Sequence, residues 1–340
     1  MSEALGTLDA PVLVLADLDG TRPTDPALEL VAVARTLTGG DGGDGSDVVA
    51  LTLGPVEAEA SAALAAAGAN RLLVADLGGE RAQAAAGADA VVAAVHEVAP
   101  GAVLVSSDYR GKETAGRAAV LLDSACVSDV ADLRVVDGAL HADRLVLSGS
   151  WSTTMSANAH TVHPPILAVR PGSVEVPDAS VDDAAPLPAV ALEAAVSPEA
   201  AAVRLVSRES TAAAAGPDLA GARTVVVGGR GVDGDFDLVR SLAEPLGAAV
   251  GATRVACDEE WIERSAQIGQ TGVSIAPRLY IGLGVSGAIH HTSGIQGAGT
   301  IVAVCDDSEA PIFEMADFGV VGDVTEVVPQ LVAELDRLRG

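Results

Sequence analysis

The chain has 340 residues, enough for two domains with cores of their own. Its 20 basic residues stand against 47 acidic ones, a net charge of −27 that repels nucleic acid and anionic lipid at long range and argues against both as partners. Apolar residues make up 49%, while the three scattered cysteines, Cys126, Cys257 and Cys305, supply neither a disulfide framework nor a C-x-x-C metal pair, as fits a reducing cytoplasm.

Residues 11–16 (PVLVLA) form a continuous apolar run, the pattern of a strand buried on both faces of a parallel sheet. No basic n-region precedes it and Asp17 breaks it, so it does not read as an export signal. A helix is predicted over 26–37 and a flexible surface loop over the glycine-rich 39–47. Strand 48–53, helix 56–67, strand 71–75, helix 84–98, strand 102–106 and helix 112–122 then alternate, which implies a right-handed α/β sheet. Segments 133–136 and 139–147 flank Asp137-Gly138, a pair that favours a type I′ turn, so a hairpin is expected there. Residues 166–170 give one more strand. The proline-rich 171–198 reads as an extended linker with one strand at 189–194, and the domain boundary is placed near 205, giving domains 1–205 and 206–340.

The alternation restarts with strand 224–227, a glycine-rich turn at 228–231, helix 236–246 and strand 248–250, which delivers Thr253 and Arg254 to a loop. A second loop spans 268–272. Strand 279–281, a glycine turn at 282–287, a short helix at 288–295 and a buried strand at 300–305 follow, and the chain ends in an amphipathic helix over 324–338 with Val327, Val328, Leu331, Leu335 and Leu338 on one face. Both domains are thus α/β, each a mainly parallel sheet flanked by helices. The loops of the second gather at one sheet edge, where such folds bind ligands. Gly282, Gly284 and Gly287 also spell G-x-G-x-x-G, with Asp306 and Asp307 about 20 residues on, the spacing of an NAD-binding unit. The helix after them is nevertheless short and broken by Gly294, Gly297 and Gly299.

Arg230 closes the first glycine-rich turn, where a guanidinium can bind phosphate through two parallel bonds. Thr253, Arg254, Gln270 and Thr271 are polar groups at strand and loop edges of a largely apolar domain. Hydroxyls and amides can bond the rim of a flavin, and an arginine above it stabilises the negative charge gained on reduction. His290 and His291 are adjacent on a short helix, so they point roughly 100° apart and do not suit one metal ion; no metal site is expected. Asp323 can cap the last helix or accept from ribose and adenine donors. In the first domain, His160-x-x-His163 and Ser124-Ala125-Cys126 lack evident partners and read as structural.

Several of these segments form longer motifs. Leu279, Tyr280, Gly284, Ser286, Gly287, Ala288, Ile289 and His291 spell L-Y-x-x-x-G-x-S-G-A-I-x-H; Ile301, Val302 and Ala303 follow; and Glu309, Ala310, Pro311, Ile312, Phe313, Ala316, Asp317, Gly319, Val321 and Asp323 spell E-A-P-I-F-x-x-A-D-x-G-x-V-x-D. Upstream stand V-V-G-G-R-G at 226–231, G-A-T-R at 251–254 and I-G-Q-T-G at 268–272. In this order the segments resemble the electron-transfer flavoprotein alpha-subunit family, with a looser likeness over the N-terminal part.

The resemblance implies a Rossmann-like C-terminal domain that binds FAD through Arg230, Thr253, Arg254, Ile268, Gly269, Gln270, Thr271, Ser286, Gly287, Ala288, Ile289, His290, His291, Cys305, Asp323 and Val324. It places His291 near the pyrimidine end of the flavin, where a hydrogen-bonding imidazole favours an anionic one-electron-reduced form. Thr253 stands where the family usually has serine, His290 where it has glutamine and Cys305 where it has asparagine, a thiol being the weaker hydrogen-bonding group. Family members pair with a beta subunit and pass electrons from flavin dehydrogenases, such as acyl-CoA dehydrogenases, to a membrane quinone reductase. By that likeness the chain is a cytoplasmic electron carrier, neither an enzyme with its own substrate nor inserted in a membrane. Two other readings stay open: an NAD-dependent oxidoreductase built on the G-x-G-x-x-G unit, for which no substrate base is evident, and a nucleotide-binding scaffold without redox activity, which Cys305 and His290 would suit.

Overall fold

Unbroken apolar runs become fully buried strands, and the alanine-rich segments between them become the helices that cover those strands. A computed structural model of the chain describes residues 6–39, 47–78, 83–147, 151–172, 184–207, 219 and 221–339. Two compact units result, the first of residues 1–146 and 151–208 and the second of 147–150 and 209–340.

The first unit runs β1 (Val12–Leu15), β2 (Leu18–Asp19), β3 (Arg22–Pro23), α1 (Asp25–Leu37), β4 (Val48–Thr52), α2 (Ala58–Ala67), β5 (Arg71–Val74), α3 (Ala84–Val98), β6 (Ala102–Ser106), α4 (Tyr109–Leu121), β7 (Cys126–Val136), β8 (Ala139–Val146), β9 (Trp151–Asn158), β10 (Ile166–Val169), β11 (Ala189–Ala191) and α5 (Pro198–Ala201). Its nine-stranded sheet has the order β11-β5-β4-β1-β6-β10-β7-β8-β9, parallel as far as β7 and antiparallel beyond. Side chains alternate across a strand, so Val12 and Val14 enter the core on one face and Leu13 and Leu15 the core on the other. Asp137 (φ 51°) and Gly138 (φ 80°) make the expected hairpin turn. Its first strand begins seven residues earlier than predicted, its second matches to within one residue, and β9 pairs with β8 although WSTTMSAN carries no apolar alternation; Trp151 and Met155 stay exposed. Within the predicted linker, 173–183 lie outside the described residues, β11 pairs with β5, and Ser197 caps α5. Of the predicted surface loop, 40–46 likewise lie outside.

The second unit runs β12 (Thr224–Gly228), α6 (Phe236–Leu246), β13 (Ala249–Ala252), α7 (Arg254–Asp258), β14 (Leu279–Leu283), α8 (Ile289–Thr292), β15 (Thr300–Cys305), β16 (Phe318–Val321) and α9 (Val324–Arg339). Its five-stranded sheet, β13-β12-β14-β15-β16, is parallel throughout. The edge strand β16 was not predicted, because all four of its residues are exposed and no burial pattern marks it. Helix α9 packs through Val324, Val328, Val332 and Leu335, with Val327 alongside, whereas Leu331 and Leu338 are 36% and 68% exposed. The expected face therefore holds for Val327, Val328 and Leu335 and fails for Leu331 and Leu338, a small rotation that periodicity alone does not resolve. Helix α8 has only four residues, and Gly282 belongs to β14 rather than to the turn.

Candidate functional site

Parallel register brings the carboxyl ends of the five strands to one level. Gly228 lies opposite Ala252 and Leu283, Leu283 opposite Val304, and Cys305 opposite Val321. The residues that follow these ends are Arg230, Thr253 with Arg254, 284–291, Cys305 itself and Asp323. The 268–271 loop joins the same edge, since Ile268 N–H donates to Ala252 O at 2.9 Å and Gln267 bridges Ala252. Residues dispersed from 230 to 323 in sequence thus converge where α/β sheets bind ligands.

Glycine permits the loops to close on one another. Gly284 (φ +63°) sits where a Cβ would fall 2.5 Å from Gly231 Cα, and Gly229 and Gly231 donate to Leu283 O and Gly284 O at 2.9 and 3.0 Å. Gly269 (φ +132°) has room for no Cβ either, since one would lie 2.2 Å from His290 O. The G-x-G-x-x-G spacing therefore reports chain packing against chain: Gly282 lies under the Tyr280 ring, Gly284 meets the first turn, and Gly287 meets the backbone of Ile312.

The polar groups on this edge divide into engaged and free. The Arg230 guanidinium is exposed and makes no hydrogen bond or ion pair among the described residues, and the same holds for the Ser286 hydroxyl. Thr253 Oγ1 is buried with no partner. Ala288 and Ile289 are exposed beside them, and Gly287 is buried. Arg254 is drawn toward its own helix, its Nε 3.2 Å from Asp258 Oδ2, while Arg264 takes Asp258 Oδ1 at 2.6 Å. His290 Nδ1 donates to Gln270 Oε1 at 2.7 Å, holding the exposed Gln270 amide. Asp323 caps α9, accepting from Thr325 N and Thr325 Oγ1 at 2.8 and 2.6 Å, and the hydroxyl bond pushes its carboxyl below the usual range. Val324, the first residue of α9, is buried at 3% exposure. Cys305 is 5% exposed, and its thiol turns into the core, 3.8 Å from Asp306 Oδ1.

His291 is 5% exposed, and both its nitrogens are engaged within the protein. Nδ1 lies 3.2 Å from Ile268 O, a carbonyl that can only accept, so Nδ1 carries the hydrogen. Nε2 then accepts from the Tyr280 hydroxyl at 2.8 Å. Burial lowers the imidazole pKa from 6.5 to about 4 and raises that of the Tyr280 phenol, so this pair is neutral at physiological pH. Sequence reasoning missed two residues here. Tyr280 is fully buried in an aliphatic domain, and a buried tyrosine hydroxyl needs a partner, a signal that was available. Gln267, 3% exposed with Nε2 2.9 Å from Thr271 Oγ1, leaves no trace in the pattern. In the first unit, His160 Nδ1 accepts from the backbone N–H of Val162 and His163, and Ser124 donates to the carbonyls of His163 and Pro164. Among the described residues no three acidic, histidine or cysteine side chains group as a metal site.

Residues 218–296 match the model of the electron transfer flavoprotein FAD-binding domain, and residues 12–197 that of the electron transfer flavoprotein domain. The electron transfer flavoprotein subunit alpha of Mycobacterium leprae is 42% identical over 74% of this chain and 76% of its own length. That of Bacillus subtilis is 33% identical over 96% of this chain and 98% of its own. The mitochondrial subunit alpha of Arabidopsis thaliana is 38% identical over 68% of this chain and 64% of its own.

The chain belongs to the electron-transfer flavoprotein alpha-subunit family. Its second unit carries the family's FAD-binding domain. The donor set suits that cofactor: a free guanidinium, an orphaned buried hydroxyl and exposed hydroxyls share one edge, as a ligand with phosphates and a polar ring rim requires. Arg230 to His291 lie within the matched FAD-binding segment, while Cys305, Asp323 and Val324 follow it. No helix among the described residues is long and apolar enough to cross a membrane.

Proposed function

We propose that this alpha subunit holds FAD along the carboxyl edge of its second sheet and, paired with a beta subunit, carries electrons between flavoenzymes in the cytoplasm. The convergence of Arg230, Thr253 and Ser286 beyond strand ends of one register, with the loop that carries Thr271 joined to the same edge, carries the reading. FAD supplies the redox chemistry, accepting or giving electrons one or two at a time. Arg230 binds the pyrophosphate, its planar fork matching two phosphate oxygens. Thr253, Gln270 and Thr271 offer hydrogen bonds to the polar rim of the ring, and Arg254, released from Asp258, brings positive charge to it. Asp323 keeps a carboxylate oxygen for ribose or adenine donors while capping α9. His291 acts from beneath: bonded to Ile268 O, it fixes the loop that presents Gln270 and Thr271 and keeps water from the pyrimidine side. Ile268, Gly269, Gly287, Ala288, Ile289, His290, Cys305 and Val324 shape this edge, and Cys305, its thiol turned into the core, gives the cofactor less hydrogen bonding than an amide would.

On this reading the chain has no substrate of its own; dehydrogenases such as acyl-CoA dehydrogenases reduce it and a quinone reductase reoxidises it. Purification of the chain co-expressed with its cognate beta subunit tests this. A yellow complex with flavin absorption, bleached by an acyl-CoA dehydrogenase with its substrate and recoloured by a quinone reductase, is expected. A colourless complex that does not take up added FAD opposes it.

A further inference from the structure

We propose that Gln267 is a positioning residue whose side-chain amide fixes the Thr271 hydroxyl as a hydrogen-bond donor toward the cofactor. The inference rests on the flavin reading of the 268–271 loop and adds to it a residue outside that loop.

Gln267 has little freedom to turn away. Its N–H donates to Arg264 O at 3.1 Å, and its carbonyl accepts from Val273 N at 2.8 Å. Gly272 folds so closely over it that a Cβ there would lie 2.1 Å from the Gln267 carbonyl oxygen. The amide is thereby delivered to Thr271 Oγ1, where Nε2 donates at 2.9 Å. An amide nitrogen donates only, so the threonine oxygen must accept, and its own hydrogen points elsewhere. Because Thr271 is exposed, that hydrogen is presented outward on the edge assigned to the flavin.

The other end of the same amide strengthens the case. Oε1 is buried without a partner, although the side chain is 3% exposed. A glutamine that surrenders its hydration for one hydrogen bond gives the fold little net stability, and a buried unpaired carbonyl is destabilising. An aliphatic side chain of similar volume would fill the space without that cost. What only the amide provides is the orientation of Thr271: a hydroxyl that can otherwise rotate is held ready, so no reorientation is needed when an acceptor arrives.

The test uses the chain with its beta subunit, measuring FAD dissociation by flavin fluorescence and the reduction potential of bound FAD. Thr271→Val removes the hydroxyl and is expected to weaken FAD about 5-fold and shift the potential. Gln267→Met, which keeps the volume but not the donor, is expected to weaken FAD about 3-fold, shift the potential in the same direction, and add nothing in the Thr271→Val background. Gln267→Asn keeps an amide one methylene short of Thr271; it is expected to behave like Gln267→Met and serves if that variant does not assemble. If Thr271→Val has its effect but the Gln267 variants leave affinity and potential at wild type, or act equally in both backgrounds, the positioning role is overturned and the flavin reading stands. If Thr271→Val itself changes neither quantity, the loop does not face the flavin and both fall.

Discussion

Acid should destabilise the second unit through one residue. His291 lies in the core with its pKa lowered by burial from 6.5 to about 4, an effect that the bond to Ile268 O only partly offsets. Between these values the unfolded chain binds a proton at this site and the folded chain does not, so the unfolding free energy falls as pH falls through the window. At about 1.4 kcal/mol per pH unit, a gap of roughly 2.5 units makes the loss about 3 kcal/mol between pH 7 and 4. The chain's many carboxylates add their own acid sensitivity, so the quantity to isolate is a difference. Urea unfolding of wild type and His291→Leu across pH 7 to 4 provides it. The variant is less stable at pH 7, since Ile268 O and the Tyr280 hydroxyl lose their partner, and the gap is expected to shrink by about 3 kcal/mol by pH 4. A gap that stays constant or widens on acidification would refute the neutral, buried state of the imidazole.

Other substitutions probe the same edge. Gly284→Ala puts a Cβ 2.5 Å from Gly231 Cα at a backbone φ of +63°, so it is expected to cost about 2 kcal/mol or more and loosen both glycine turns; wild-type urea stability would contradict that packing. Arg230→Ala removes an exposed, unpartnered guanidinium, so FAD is expected to bind at least about tenfold more weakly with stability unchanged, as dissociation and melting curves would show. Arg254→Ala is expected to lower the potential of bound FAD; an unaltered potential would remove the residue from the ring. Cys305→Asn is expected to retain FAD equally or more tightly, and faster FAD loss on dilution would show that the buried thiol is more than a weaker substitute.

The central parallel strands of both units were legible because they are apolar runs closed by a polar or glycine residue, such as Val12–Leu15 before Asp17 or Thr300–Cys305 before Asp306. Two edge strands were not: Trp151–Asn158 and Phe318–Val321 are held by backbone pairing and bury little, so their side chains carry no period. At the site, the residues that follow strand ends could be named from glycine turns and family motifs. What each does depended on partners chosen in three dimensions. Asp258 claims Arg254 one helical turn away in a helix that was read as a loop, while Tyr280 claims His291 and Gln267 claims Thr271 through loop geometry that no spacing rule describes.

The central claim is that five strand ends and the 268–271 loop form one FAD cradle. Hydrogen–deuterium exchange of the alpha–beta complex, compared before and after FAD is added to the apoprotein, measures it directly. Slowed exchange confined to peptides covering 229–232, 253–255, 268–272, 284–292, 305–307 and 322–325 is the expected result. Unchanged exchange there, with protection elsewhere in the chain, would contradict it.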